Sequence, residues 1–160
     1  MKQPKLKILI YQNYLQIIRA SQGSKMFRHL YVLMDEQKKD ILENGQLSCA
    51  FFVSTVLKIF DLISRPHATV KNTVEDMLKN GWRPTEKLKP GNVLVWEEKE
   101  FSDGTANQHI GFYFGQNKAV SNSYKKSVPA LHHFTFVQTK TGQPKRKIIQ
   151  ILTHRLIKEK

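Results

Sequence analysis

The chain contains one cysteine, Cys49, in the stretch GQLSCAFFVSTVLKIF. A thiol attacks as its thiolate, and thiolates are stabilised at helix N-termini, where unpaired N–H groups and the positive dipole end coincide. Asn44-Gly45 marks a turn, and the apolar run after it predicts a helix from Cys49 to about Ile63. Ser48 then falls at the N-cap and Cys49 in the first turn. The same N–H groups suit an oxyanion formed by attack on a carbonyl. The plainer alternative is that a free cysteine is a small buried hydrophobe without reactivity.

Attack needs a base, and His109 is the best placed of the six histidines. It opens the strand HIGFYFG beside a loop of small and polar residues, which predicts a sheet edge near solvent. Alternation puts His109, Gly111 and Tyr113 on one face, with Ile110, Phe112 and Phe114 on the other. Gly111 removes bulk beside the ring and leaves room for a helix end. A third polar group must fix the imidazole's tautomer, and the next strand, KAVSNS, is expected to supply it. A two-residue loop, Gln116-Asn117, pairs Gly111 with Asn122; a three-residue loop shifts the register and presents Ser121 instead. An amide oxygen accepts the imidazole N–H well, which favours Asn122.

Helices must precede these strands. The first twenty residues read as a helix, with Leu6, Leu9, Ile10, Tyr14, Ile17 and Ile18 near helical spacing, and SQGSK breaks it. LYVLMDEQKKDIL reads as a short strand, a polar turn and a second short piece. Pro66 ends the cysteine helix. TVKNTVEDMLKNGW is a further helix, capped by Thr69 or Thr73 and closed by Gly81. Pro90-Gly91-Asn92 then turns the chain into VLVWEE, and HIGFYFG, KAVSNS, HHFTFVQ and KIIQILT complete a run of strands. Helices followed by antiparallel strands predict one α+β domain over 1–160, with 1–30 a helical extension and 45–155 the catalytic core.

The order of a cysteine at a helix start, then KPGNVLVW, then HIGFYFGQNKAV resembles the NlpC-type cysteine peptidases of the papain-like superfamily. The resemblance covers about residues 45 to 125, anchored by the Lys89–Asn92 turn and the His109–Gly115 strand. It implies a papain-like fold, Cys49 as nucleophile, His109 as base, and amide bonds of peptidoglycan peptides as substrates. No metal or organic cofactor is needed. In-register comparison puts Ser121 at the third position. The family reads Asp-Cys-Ser-Gly around its nucleophile, where this chain reads Ser48-Cys49-Ala50-Phe51. The flanks that line the family's subsite for the substrate's amino end are therefore missing. Tyr31 is the nearest counterpart of the family's tyrosine upstream of the cysteine.

With 160 residues, 40% hydrophobic and 24% charged, the chain can bury a core and one cleft. Its 26 basic and 13 acidic residues give a net charge of +13, which favours polyanionic surroundings. The competing reading is thus an inactive papain-like binding module with a basic surface for nucleic acid or an anionic envelope polymer. Lys125-Lys126 and Lys145-Arg146-Lys147 are small basic clusters that solvated turns explain equally well. One cysteine excludes an intramolecular disulfide framework and any multi-cysteine zinc site. A zinc site from His109, His133 and His154 has no ligand spacing to support it. His132 and His133 point to opposite strand faces, so at most one could reach a cleft. Trp96, alternating with Leu94, reads as core. Glu97, Glu98, Glu100 and Asp103 lie in or beside the loop before His109. No stretch approaches the ~20 apolar residues of a membrane span. The N-terminal segment lacks the apolar run and cleavage site of a signal peptide, so a cytoplasmic protein is expected.

Overall fold

The computed structural model describes residues 3–100, 104–137 and 139–158; Asp103 lies outside them. The chain is an α+β domain whose described elements are three helices, a hairpin and a six-stranded antiparallel sheet. Helices α1 (Ile10–Ala20), α2 (Cys49–Ile59) and α3 (Val70–Lys79) all precede the six-stranded sheet. Strands β1 (Tyr31–Met34) and β2 (Gln37–Asp40) form the separate hairpin, turning at Asp35 and Glu36, both at positive φ. The sheet comprises β3 (Arg83–Pro84), β4 (Val93–Glu100), β5 (Ala106–Gly115), β6 (Lys118–Ser123), β7 (Val128–His133) and β8 (Ile148–Thr153). Its order is β3-β8-β4-β5-β6-β7.

Helix α1 begins nine residues into the chain rather than at its start. The basic Lys5 and Lys7 oppose the positive end of a helix dipole, and Leu6, Ile8 and Leu9 find no core to pack on and stay exposed. The helix itself is part of the core: Tyr14 and Ile18 are fully buried, and the Tyr14 hydroxyl donates to the Gly91 carbonyl at 2.8 Å. Gly91 belongs to the Lys89–Asn92 turn, at φ 90°, where an added Cβ would lie 2.8 Å from the Tyr14 ring. Glycine is required there by both backbone and space.

Helix α2 stops at Ile59, before Pro66. Asp61, at φ 51°, takes the left-handed position, while the N–H groups of Asp61 and Leu62 donate to Lys58 and Leu57. This is a Schellman closure without glycine, which is why it leaves no obvious mark in the sequence. In α3, Thr69 is the cap that acts, accepting from the Asn72 N–H, and Gly81 follows the C-cap at φ 95°.

One sheet face packs on the helices through Val93, Val95, Ile110, Phe112, Val120 and Leu152, against Phe52, Val53 and Val56 of α2. Burying a side chain such as Phe52 contributes about 2–3 kcal/mol. The opposite face carries Leu94, Trp96, Tyr113 and Ala119. Strand β7 covers 128–133 rather than the HHFTFVQ stretch, because the 124–127 turn feeds it back along β6. Phe136 and Val137 then sit at positive φ, outside any strand. Pro129 is tolerated because β7 is an edge strand.

Candidate active site

Cys49 is the first residue of α2. Ser48 stands at the N-cap, but its hydroxyl donates to the Phe27 carbonyl at 2.7 Å instead of capping. That bond ties the helix start to the segment before β1 and leaves the first-turn N–H groups uncapped by Ser48. The N–H groups of Ile110 on β5, of Ala50 and of Cys49 itself face the sulfur. Removal from water raises the thiol pKa, and these groups and the Arg146 guanidinium oppose that only in part.

The β5–β6 hairpin decides which residue meets the histidine. Gly115 pairs with Lys118, so the loop has two residues, Gln116 and Asn117, both at positive φ. Without further irregularity, Asn122 would oppose Gly111. A bulge at Phe114 absorbs one residue, and Gly111 pairs with Ser121. The expectation for Asn122 is therefore corrected: it lies on the other face, where its Nδ2 donates to the Gly45 carbonyl at 2.7 Å. Its role is to anchor the turn before α2. Gly111 also serves differently than expected. An added Cβ would meet Ser121 Cβ at 2.6 Å, the Val120 carbonyl at 2.7 Å and Trp96 at 3.1 Å, so it makes room for Ser121 and Trp96.

A chain of hydrogen bonds fixes the tautomers. His132 Nδ1 lies 2.7 Å from the His133 carbonyl, which only accepts, so this nitrogen carries the proton. Burial, the largest influence on His132, keeps it neutral by lowering its pKa. Its Nε2 therefore accepts from the Ser121 hydroxyl at 2.7 Å. Ser121 Oγ in turn accepts from His109 Nε2–H at 2.8 Å. Among the described residues, His109 Nδ1 has no hydrogen-bond partner, which leaves it bare as an available base. Trp96 floors this row, its ring 5.4 Å from His109 and 5.8 Å from His132, and its indole N–H donates to the Phe134 carbonyl. Phe136 stacks on His132 at 4.1 Å.

Cys49, His109, Ser121, Asn122 and His132 all line one open cleft of about 1000 Å³. Arg146 lines it too, held by donating to the carbonyls of Glu97 at 2.9 Å and Asn107 at 2.6 Å. Bulges on both sides of Trp96 bring these carbonyls together. His132 and Arg146 are functional candidates that local sequence patterns do not reveal. His132 becomes legible only once β7 is aligned on β6, where it opposes Ala119 and so shares the face of Ser121. Nothing around Arg146 in the sequence separates it from its solvated neighbours. Tyr31 stays away, exposed on β1, stacked on His29 and covered by Lys38. His133 bonds Thr135 and His154 bonds Asn80, so neither joins His109. Among the described residues, no group of three or more His, Cys, Asp or Glu side chains could hold a metal ion. Among them too, no helix is long and apolar enough to cross a membrane.

Fold and site together define an α+β domain with a cysteine at a helix start, a histidine on an adjacent strand, and a shared cleft. No protein-family model matches the chain, and no curated protein matches it.

Burial, aided by Arg146 and His132, pushes the His109 pKa down to about 3. The unfolded chain, with histidine near its ordinary 6.5, therefore binds more protons than the native one between pH 6.5 and 3. Native stability falls as pH drops through that window. His132 and His154, both lowered chiefly by burial, act in the same direction. Asp40 extends the loss to lower pH: hydrogen bonds from the Asn44 N–H, His29, and the Leu30 and Leu42 N–H groups outweigh its burial and hold it at about 2. Urea midpoints should decline steadily from pH 6.5 downwards, and His109→Gln should flatten the decline. A midpoint constant from pH 6.5 to 4 would contradict the buried neutral imidazoles.

Proposed function

We propose that this chain is a papain-like cysteine hydrolase of the NlpC type, with Cys49 as nucleophile and His109 as base. The observation that supports this best is the bare Nδ1 of His109, left free by the Ser121–His132 chain in the cleft that Cys49 lines. The substrate is an amide or peptide bond, peptidoglycan-type peptides being one candidate class. His109 Nδ1 takes the thiol proton as the sulfur attacks the carbonyl carbon, and the oxyanion forms against the first-turn N–H groups of α2. The imidazolium is stabilised through Nε2–H to Ser121, whose own hydroxyl leans on His132. Collapse of the tetrahedral intermediate passes the proton to the leaving amine and leaves a thioester. Water, deprotonated by the same Nδ1, then releases the acid and restores the thiol.

Because the resting pair is a neutral thiol and a neutral imidazole, the proton moves with the attack rather than before it. The test uses p-nitrophenyl acetate as acyl donor. A burst of p-nitrophenolate, with an acetyl group found on Cys49 and then lost, is expected; Cys49→Ala should give neither. Steady release without a burst, equal in Cys49→Ala, would support the inactive binding module instead.

A further inference from the structure

The cleft is strongly cationic in a way that neither the fold nor the cysteine chemistry requires. Among the described residues, Lys71, Lys99, Lys125, Lys126, Lys145 and Arg146 line it, against one carboxylate, Glu98. The two basic clusters at 125–126 and 145–146, far apart in the chain, meet on this one rim. Arg146 differs from the lysines. It is partly buried, its guanidinium lies in the field of Cys49 and His109, and no carboxylate pairs with it within 4.0 Å among the described residues. Glu97, whose carboxylate acts on it, spends Oε1 on the Lys147 N–H. Two backbone carbonyls hold the guanidinium in place and use two of its five N–H donors. A partly desolvated, immobilised cation with donors to spare is a site for a planar anion.

We infer that the substrate carries a carboxylate beside the reacting carbonyl and that Arg146 holds it, the lysine rim drawing it in. This rests on the reading of Cys49 as nucleophile. It also gives the missing Asp and Ser flanks a counterpart: a cleft that selects an acidic acyl donor in place of an amino end. A bound carboxylate would offset the positive field that disfavours the His109 imidazolium, so that proton transfer from Cys49 is easiest when the correct substrate is present.

The test compares two alkylating reagents of nearly equal size, iodoacetate and neutral iodoacetamide. In each, sulfur displaces iodide and His109 takes the thiol proton. For the native protein, the iodoacetate-to-iodoacetamide rate ratio should exceed that of N-acetylcysteine about tenfold. Arg146→Gln should remove the excess, and Arg146→Lys should keep part of it. Joint replacement of Lys125, Lys126 and Lys145 by Gln should lower it less than Arg146→Gln does. A native ratio no higher than that of N-acetylcysteine, with Cys49 alkylated by both reagents, overturns this inference and leaves the nucleophile standing. An excess lost with the lysines and kept in Arg146→Gln overturns the Arg146 clamp. A native Cys49 inert to both reagents yet alkylated after denaturation overturns the nucleophile and this inference with it.

Discussion

Replacing His109 with alanine should slow alkylation of native Cys49 by iodoacetamide at neutral pH by at least about 100-fold, the scale of a lost general base. Burial holds the Cys49 thiol above its ordinary pKa, so little thiolate exists at neutral pH without help. In the proposed mechanism, His109 Nδ1, the ring nitrogen not engaged with Ser121, removes the proton during attack. Without it, the rate should follow thiolate population alone and recover only at alkaline pH. The same raised thiol and lowered imidazole mean that wild-type rates climb with pH and show no ion-pair plateau near neutrality. Urea melts must accompany the variant, since truncation beside Trp96 also removes packing. An alkylation rate unchanged in a folded His109→Ala protein would detach the histidine from the cysteine.

Gly111→Ala carries the second large effect, this time on stability and site together. Its backbone is not left-handed, so the cost is purely steric. The new methyl would lie 2.6 Å from Ser121 Cβ and 2.7 Å from the Val120 carbonyl, both on the paired strand. Either the strands part or Ser121 and Trp96 shift, at about 3 kcal/mol for an overpacked site. For a chain of this size that lowers the melting temperature by about 6–12 °C. Gly23→Ala is the contrast: its Cβ meets open space, so only the positive φ opposes it, at about 1 kcal/mol. Because Ser121 moves with the clash, Gly111→Ala should also slow Cys49 alkylation. Equal melting losses for the two variants would show that the β5–β6 contact is looser than described.

Much of this arrangement can be read from residue types. The α+β order, the helix starting at Cys49, the Pro90-Gly91 turn and the alternation along HIGFYFG all follow from local periodicity and turn chemistry. What local reading misses is set by geometry between strands. The bulge at Phe114 moves the third position from Asn122 to Ser121, and no residue type announces a bulge there. The placement of β7 depends on its turn from β6, and with it the arrival of His132 behind Ser121. Arg146 reaches the cleft because two bulges around Trp96 align carbonyls from β4 and β5 to receive it. Trp96 fits the core as its alternation suggests, yet its ring also floors the histidine row. Tertiary pairing, rather than composition, decides each of these.

The most direct measurement is the ¹⁵N NMR spectrum of the imidazoles, correlated with their ring protons, on the native protein at pH 6. His109 should be neutral with its proton on Nε2, and His132 neutral with its proton on Nδ1, as the Ser121 bridge demands. Alkylation of Cys49 should shift the His109 Nδ1 resonance and leave that of His154, which bonds Asn80, in place. A His109 protonated on Nδ1, or one titrating near 6.5 and blind to the state of Cys49, would contradict the His109–Ser121–His132 chain and the proposed pairing of His109 with Cys49.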